Sequence, residues 1–265
     1  MAEIIKHNFN VKLENRHLKA PLFERLSPAK QPPYQIANPD ELEAQIPIYT
    51  QDENDCTANS WTALATYLLL AKTGSLTSLS RRFVYEEEDM VNNEPDIIDE
   101  GANSIDGATV LKTIGICKEE LVPYGDEPGT VTEITDAIFA DAATRKFDWY
   151  YRVKTLTGID KLLSWGWHVS IGVEVFDGTN GLEQVGADGI LGMPEPSDNV
   201  LGGHEVCIVS KVQKNGIWYY KIRNSWGVTF GDNGYFYAPV EYLNVANWDG
   251  YVVGWNDFKQ FQPTA

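Results

Sequence analysis

Two apolar strands in the last third of the chain carry residue types that can do acid–base chemistry. G-G-H-E-V-C-I-V-S (202–210) puts a histidine at the head of one strand. Y-K-I-R-N-S-W-G (220–227) closes the next with an asparagine, followed two positions on by a tryptophan. An imidazole that works as a base needs its ring held, and the side-chain carbonyl of Asn224 can hold His204. The pair then needs a nucleophile, and Q-D-E-N-D-C-T-A-N-S-W (51–61) supplies Cys56. Cys56 opens a segment of helical periodicity. A helix N-terminus favours a thiolate through its macrodipole and offers a backbone N–H to a developing oxyanion.

The other histidines and cysteines read as structural. His7 and His17 lie in a Pro-rich arm, and His168 enters the strand H-V-S-I-G-V-E-V after a Gly-Trp turn. Strand alternation puts His204, Val206 and Ile208 on one face and Cys207 on the other, while Cys117 follows the helix-ending Gly115. Three cysteines cannot make a disulfide framework. Without C-x-x-C or H-x-x-x-H spacing, a zinc site is not expected.

Around these groups the chain divides by periodicity. Trp61, Leu64, Ala65, Leu68 and Leu69 follow helical spacing from Cys56, with Asp55 or Thr57 to cap the start and Gly74 to end it. Further helices are predicted over Arg81–Val91, from Asp106 to Gly115, and over Glu133–Arg145. Beyond residue 150 the runs turn strand-like, at His168–Phe176, His204–Ser210, Ile217–Arg223, Tyr235–Ala238 and Tyr251–Val253, with one helix at Gly158–Trp165. The expected class is α+β, with a helical lobe over about 50–150 and a β-rich lobe over about 151–265. Residues 1–45, with K-A-P and S-P-A-K-Q-P-P, are expected to run extended over a surface, on this domain or on a docking partner in a larger assembly such as a virion or a secreted complex.

A net charge of −17 argues against nucleic acid or an anionic membrane as partner. The longest apolar run, Ala63–Ala71, falls short of a membrane span, and the N-terminus lacks the apolar core of a secretory signal. The expected location is the cytoplasm, or a virion or secreted assembly that carries the chain.

With these motifs quoted, the chain resembles the papain-like cysteine peptidases (peptidase C1), of the bacterial and viral sort with C-T-A-N after the nucleophile. The separation of 148 residues between Cys56 and His204 falls in the range of roughly 130–150 known for that group. The most specific stretch is N-S-W-G-V-T-F-G-D-N-G-Y-F (224–236), with Phe230 where a second tryptophan is usual; the likeness covers about residues 45–240. The resemblance implies a two-lobed fold, helical on the left and β-barrel-like on the right, with the substrate cleft between. It implies Cys56 as nucleophile, His204 as base and acid, Asn224 as the group orienting the imidazole, Gln51 as the second oxyanion donor and Trp226 as a shield over the His–Asn bond. The resemblance puts Gly107 and Gly203 on its substrate-binding edges, with a helix-start role equally open for Gly107. The implied reaction is peptide hydrolysis through a thioester, on a peptide or protein substrate, without metal or cofactor.

Two features depart from the family pattern. Five residues rather than six lead from Gln51 to Cys56, and Asn54-Asp55 replace the usual glycine-serine pair. Asp52, Glu53 and Asp55 also crowd the nucleophile. The bland reading makes this loop a solvated surface turn, and the sharper one makes it a selector for basic residues on a substrate. Both departures feed an alternative in which the domain is a binding or structural component of an assembly with weak or no catalysis. An acyltransferase or amidase would use the same triad. Zymogens of that family commonly carry a helical inhibitory propeptide; the 55 residues before Cys56 are too few for one beside an extended arm, so the expectation is either no propeptide of that length or control from elsewhere.

Overall fold

The computed structural model describes residues 20–26, 34–92, 99–125 and 133–262. Its first α-helix is a single turn, α1 (Pro39–Glu43), started by a proline at a position where no N–H is needed. After it comes α2 (Cys56–Thr73), free of internal glycine and proline. The whole of Cys56–Ala71 is buried, so the predicted apolar stripe is one part of a helix enclosed on every side. Most of its polar side chains are bonded: Thr66 donates to Thr62 O, and the Ser60 hydroxyl meets that of Ser170, while the buried Thr62 hydroxyl has no partner among the described residues. Gly74, at φ +70°, ends the helix in the left-handed conformation and donates to Leu70 O. At the other end the expected capping fails in detail. Asp55 occupies the N-cap without a side-chain bond, and the Thr57 hydroxyl turns away to Glu88.

Around α2 lie α3 (Arg81–Asn92) and α4 (Ser104–Thr113). Asn103 and Asp106 form a capping box, which starts α4 two residues before the predicted Asp106. Asp136–Ala143 forms α5, shorter at both ends than predicted, and Leu156–Ser164 forms α6, started by the Thr155 hydroxyl accepting from Gly158 N.

The strands are β1 (Trp149–Val153), β2 (Val169–Phe176), β3 (Val200–Lys214), β4 (Ile217–Arg223), β5 (Tyr235–Pro239) and β6 (Trp248–Gly254). They form one sheet in the order β1-β6-β2-β3-β4-β5, every neighbouring pair antiparallel. Strand β1, with its W-Y-Y-R-V sequence, was not anticipated, and β3 extends beyond the predicted 204–210 at both ends. Helix α2 packs on β3 and β2, and this contact sets Cys56 against the strand that carries His204. Mixed helix and antiparallel sheet is the α+β class expected.

Of the expected arm, residues 1–19 and 27–33, with His7 and His17, lie outside the described residues. The described part packs on the sheet side. Leu22 bridges Arg152, Phe23 is buried, and Glu24 accepts the N–H groups of Lys154 and Thr155 ahead of α6. Glu43 is buried too. It accepts from Arg223 Nε (2.6 Å) and the Tyr235 hydroxyl (2.9 Å), while Arg223 also donates to Ile46 O and Pro47 O. His168 stacks on Tyr67 at 3.6 Å beside this network, and burial holds its imidazole well below the ordinary range, hence neutral. It is a core residue, as are Cys117 and Cys207. No described helix is long and apolar enough to cross a membrane.

Candidate active site

The antiparallel register of β3 and β4 pairs Cys207 with Arg223, and so brings Asn224, one residue past the end of β4, to His204. His204 Nε2 stands 2.8 Å from Asn224 Oδ1. The same oxygen accepts the backbone N–H of Ser225 at 2.8 Å, which fixes the amide with its carbonyl toward the ring. Trp226 lies over the imidazole, with ring centroids 5.1 Å apart, and Phe230 braces the indole edge-on at 4.9 Å. His204 and Asn224 are both buried, so their bond sits where water competes little.

Cys56 meets β3 one residue further on: the backbone N–H of Glu205 donates to Cys56 Sγ at 3.4 Å. The structure thus brings Cys56, His204, Asn224 and Trp226 to one place. Cys56 is only 2 % exposed, and burial pushes its thiol well up. The Glu205 N–H pulls it down, and the carboxyls of Glu205, Asp55 and Glu88 push it up again. Desolvation thus works against the thiolate that the helix N-terminus favours.

Gln51 is tied to the same corner by backbone and side chain. Its N–H donates to Ser225 O at 2.8 Å, Gly227 N donates to Tyr49 O at 2.9 Å, and the Ser225 hydroxyl donates to Gln51 Oε1 at 2.5 Å. Gly227, at φ +75°, is required here, since a Cβ would stand 2.8 Å from the Thr50 hydroxyl. Gln51 Nε2 donates to Glu53 O at 2.9 Å, which uses one of its two hydrogens.

Most of the acidic loop is not a solvated turn. Asp52 is exposed, but Glu53, Asn54 and Asp55 are buried. Arg82 grips Glu53 with both guanidinium nitrogens, at 2.7 and 2.5 Å, and Asn54 is bonded by N–H and side chain to Asp99. Burial pushes the Asp55 carboxyl up to about 7, against the pull of the Tyr124 hydroxyl and Arg81. The physical reason is the start of α3: Arg81 and Arg82 face the loop and answer its charge from inside the protein. Arg81 also donates to Thr50 O and Asn59 Oδ1, while Asn59 donates to Asp55 O. The asparagine of C-T-A-N thus braces the helix start.

The glycines part ways. Gly203 stays beside His204 in β3, opposite Glu174. Gly107, expected on a substrate-binding edge, instead lies at a buried helix crossing. An added Cβ would stand 2.1 Å from the Trp61 ring and 2.6 Å from Glu88 Oε1, so close packing of α4 on α2 and α3 accounts for it. Two residues of this corner went unassigned in the sequence. Ser225 holds Gln51. Glu205 is a buried carboxyl that accepts from the Ser104 and Ser170 hydroxyls and is raised, chiefly by burial, to about 8. The available signal for it was a charge inside the apolar run H-E-V-C-I-V.

Comparison with known proteins fits this geometry. The sequence profile of papain family cysteine proteases matches residues 54–247. An uncharacterised peptidase C1-like protein of Acanthamoeba polyphaga mimivirus is 28% identical over 198 residues, covering 71% of this chain and 62% of that protein. Cathepsin B-like cysteine proteinase 3 of Caenorhabditis elegans is 45% identical over 40 residues, 15% of this chain and 11% of that protein. The chain therefore spans less than two thirds of the length of these relatives. Among solved structures, xylellain, a cysteine protease from Xylella fastidiosa, superposes with a TM-score of 0.77 at 25% identity, covering 94% of this chain and 97% of that one. The proform of the ragweed pollen allergen Amb a 11, a cysteine protease, shares the fold at 20% identity and a TM-score of 0.67, over 89% of this chain and 69% of its own.

Proposed function

Because the chain belongs to the papain family of cysteine proteases, we propose that it hydrolyses peptide bonds by acyl transfer to Cys56. The observation that carries the reading is the oriented imidazole. With Nε2 on Asn224 Oδ1 at 2.8 Å, His204 has Nδ1 as the ring nitrogen for the sulfur, on the side where Glu205 N–H meets Cys56 Sγ. The Cys56 proton passes to His204 Nδ1 and the sulfur attacks the scissile carbonyl carbon. The carbonyl π pair moves to oxygen, where the Cys56 N–H and the second hydrogen of Gln51 Nε2 receive it. His204 returns its proton to the leaving amine as the C–N bond breaks. It then takes one from water as the water oxygen bonds to the thioester carbon, and gives it to the Cys56 sulfur as the C–S bond breaks and the acid leaves. Asn224 holds the ring through these proton transfers, and Trp226 and Phe230 keep water off that bond.

Burial of Cys56 opposes the thiolate, so in this reading proton transfer to His204 is coupled to substrate entry. The same fact favours a second reading, a papain-like domain with weak or no catalysis that serves an assembly. A thiol-directed peptidyl epoxide separates the two. Hydrolysis predicts an adduct on Cys56 alone, by peptide-resolved mass spectrometry, abolished in His204→Ala. Equal labelling of Cys56, Cys117 and Cys207, or none, leaves the non-catalytic reading standing.

A further inference from the structure

We propose that Glu205 is a positioning residue for the nucleophile: by holding or releasing one proton, its carboxyl sets whether Cys56 can pass to the thiolate. The inference rests on the reading of Cys56 as nucleophile and adds a residue to which the chemistry above gave no part.

Glu205 reaches the sulfur through its backbone and the region behind it through its side chain. Its N–H is on Cys56 Sγ. Across β2 it faces Gly172, so no side chain stands opposite it in the ladder. Its carboxyl takes the Ser170 hydroxyl at 2.6 Å and the Ser104 hydroxyl, and Ser60 of α2 stands 2.8 Å from the Ser170 oxygen. Three serines from α2, α4 and β2 thus converge on one buried acid next to the nucleophile's helix. Neutral hydroxyls are its partners, and among the described residues no cation is paired with it.

Burial favours the protonated form, with Asp249 adding to it and the two serine donors opposing it. From α3, Glu88 carries the Thr57 hydroxyl; from α4, Asp106 belongs to the capping box; from β6 come Asp249 and the Tyr251 hydroxyl bonded to it, with Arg152 of β1 neutralising Asp249. From α2 there are Cys56 itself and, at its N-cap, Asp55; within β3 there are His204 and Cys207. Arg223 lines the recess shared by Asn59, Ser60, Glu205 and Asn224, but its guanidinium is bound to Glu43. Ionised Glu205 would place an unpaired negative charge beside the sulfur and oppose a second one there; protonated, it leaves the thiolate–imidazolium pair free to form. The carboxyl's rise to about 8 puts the change in the neutral-to-alkaline range. Glu205 exchanges its own proton through the recess, and the Cys56 proton still goes to His204.

The test uses the full chain and iodoacetamide, with Cys56 alkylation followed by peptide-resolved mass spectrometry from pH 5.5 to 9.5. The ratio of rates, Glu205→Gln over parent, should be flat in acid and rise about three- to tenfold across pH 7–9, the change in thiolate population that one close like charge produces. A constant ratio overturns the proposal. If Glu205→Gln fails to fold, Ser170→Ala takes its place. Loss of a donor to the carboxylate should move the inflection of the parent profile to higher pH, and an unmoved inflection overturns the proposal equally. Peptide hydrolysis is assayed alongside. Its absence with the alkylation ratio still rising defeats the protease reading and leaves Glu205 in its role.

Discussion

Replacing Arg82 by methionine tests whether a buried ion pair has taken over the work of the missing glycine turn. The Arg82 and Glu53 side chains are 4 % and 2 % exposed, and both guanidinium nitrogens contact the carboxylate. Methionine keeps an apolar stem but takes the guanidinium away from the buried Glu53 carboxylate. Breaking a buried pair from one side costs about 3–5 kcal/mol. At roughly 2.1 cal/mol/K per residue, a chain of this length unfolds with about 0.56 kcal/mol/K of entropy, so Tm should fall by about 5–9 °C. The double variant Glu53→Gln/Arg82→Met, with no stranded charge, should regain most of that loss. The damage should also reach the site, because Glu53 O is the acceptor that holds Gln51 Nε2. Calorimetry on the two variants, with peptidyl-epoxide labelling rates of Cys56, reads both effects. A melting point for Arg82→Met within about 2 °C of the parent would refute the reasoning and leave the loop held by Asn54 and Asp99.

Asn224→Ala removes the acceptor for the His204 ring; at about 1.5–3 kcal/mol for a charge-assisted bond, kcat/KM on a fluorogenic peptide should drop about 10- to 150-fold. Asp55 has a folded pKa of about 7 against an ordinary 3.8, so between those values the folded state holds the extra proton and stability is lost as pH rises. Over that window the loss is on the order of 4 kcal/mol. Urea unfolding of Asp55→Asn should accordingly show a gain over the parent at pH 8 that is absent at pH 4, and an equal difference at both would refute it. Gly107→Ala, with its Cβ against Trp61 and Glu88, should lower stability by about 1–3 kcal/mol through overpacking and leave KM unchanged; a raised KM at constant Tm would return Gly107 to the substrate edge.

Legibility in the sequence followed the locality of each signal. The start of α2 at Cys56 and its end at Gly74, the strand of His204 and the strand leading to Asn224 were all readable, because periodicity and caps act over a few residues. The His–Asn–Trp corner was readable because two adjacent strands carry it. What escaped depends on distant pairing. The run 52–55 looks solvated when counted by charge, and only the arrival of Arg81 and Arg82 from α3 makes its burial tolerable. Glu205 drew no assignment, because its donors Ser104 and Ser170 come from distant elements. The close packing at Gly107 stayed hidden because a sequence does not show that Trp61 will lie against it. β1 escaped for the opposite reason: its aromatic run is too short and too evenly apolar for strand alternation to mark it.

The backbone ladder between residues 49–51 and 225–227 has a consequence for how the site can move. Gln51, Asn224 and, through it, His204 share one frame ruled off in peptide units, so thermal breathing cannot easily change the spacing between the oxyanion donor and the base. The sulfur belongs to another body, the head of α2. The two are joined by a tether of five residues, whose full stretch is only about 17–18 Å and whose middle is moored by Arg82 and Asp99. Enclosed on every side, the head of α2 has little room to travel, and the moored tether holds Cys56 against that frame. A turn one residue shorter than usual leaves little slack between the sulfur and the corner that carries Gln51 and His204.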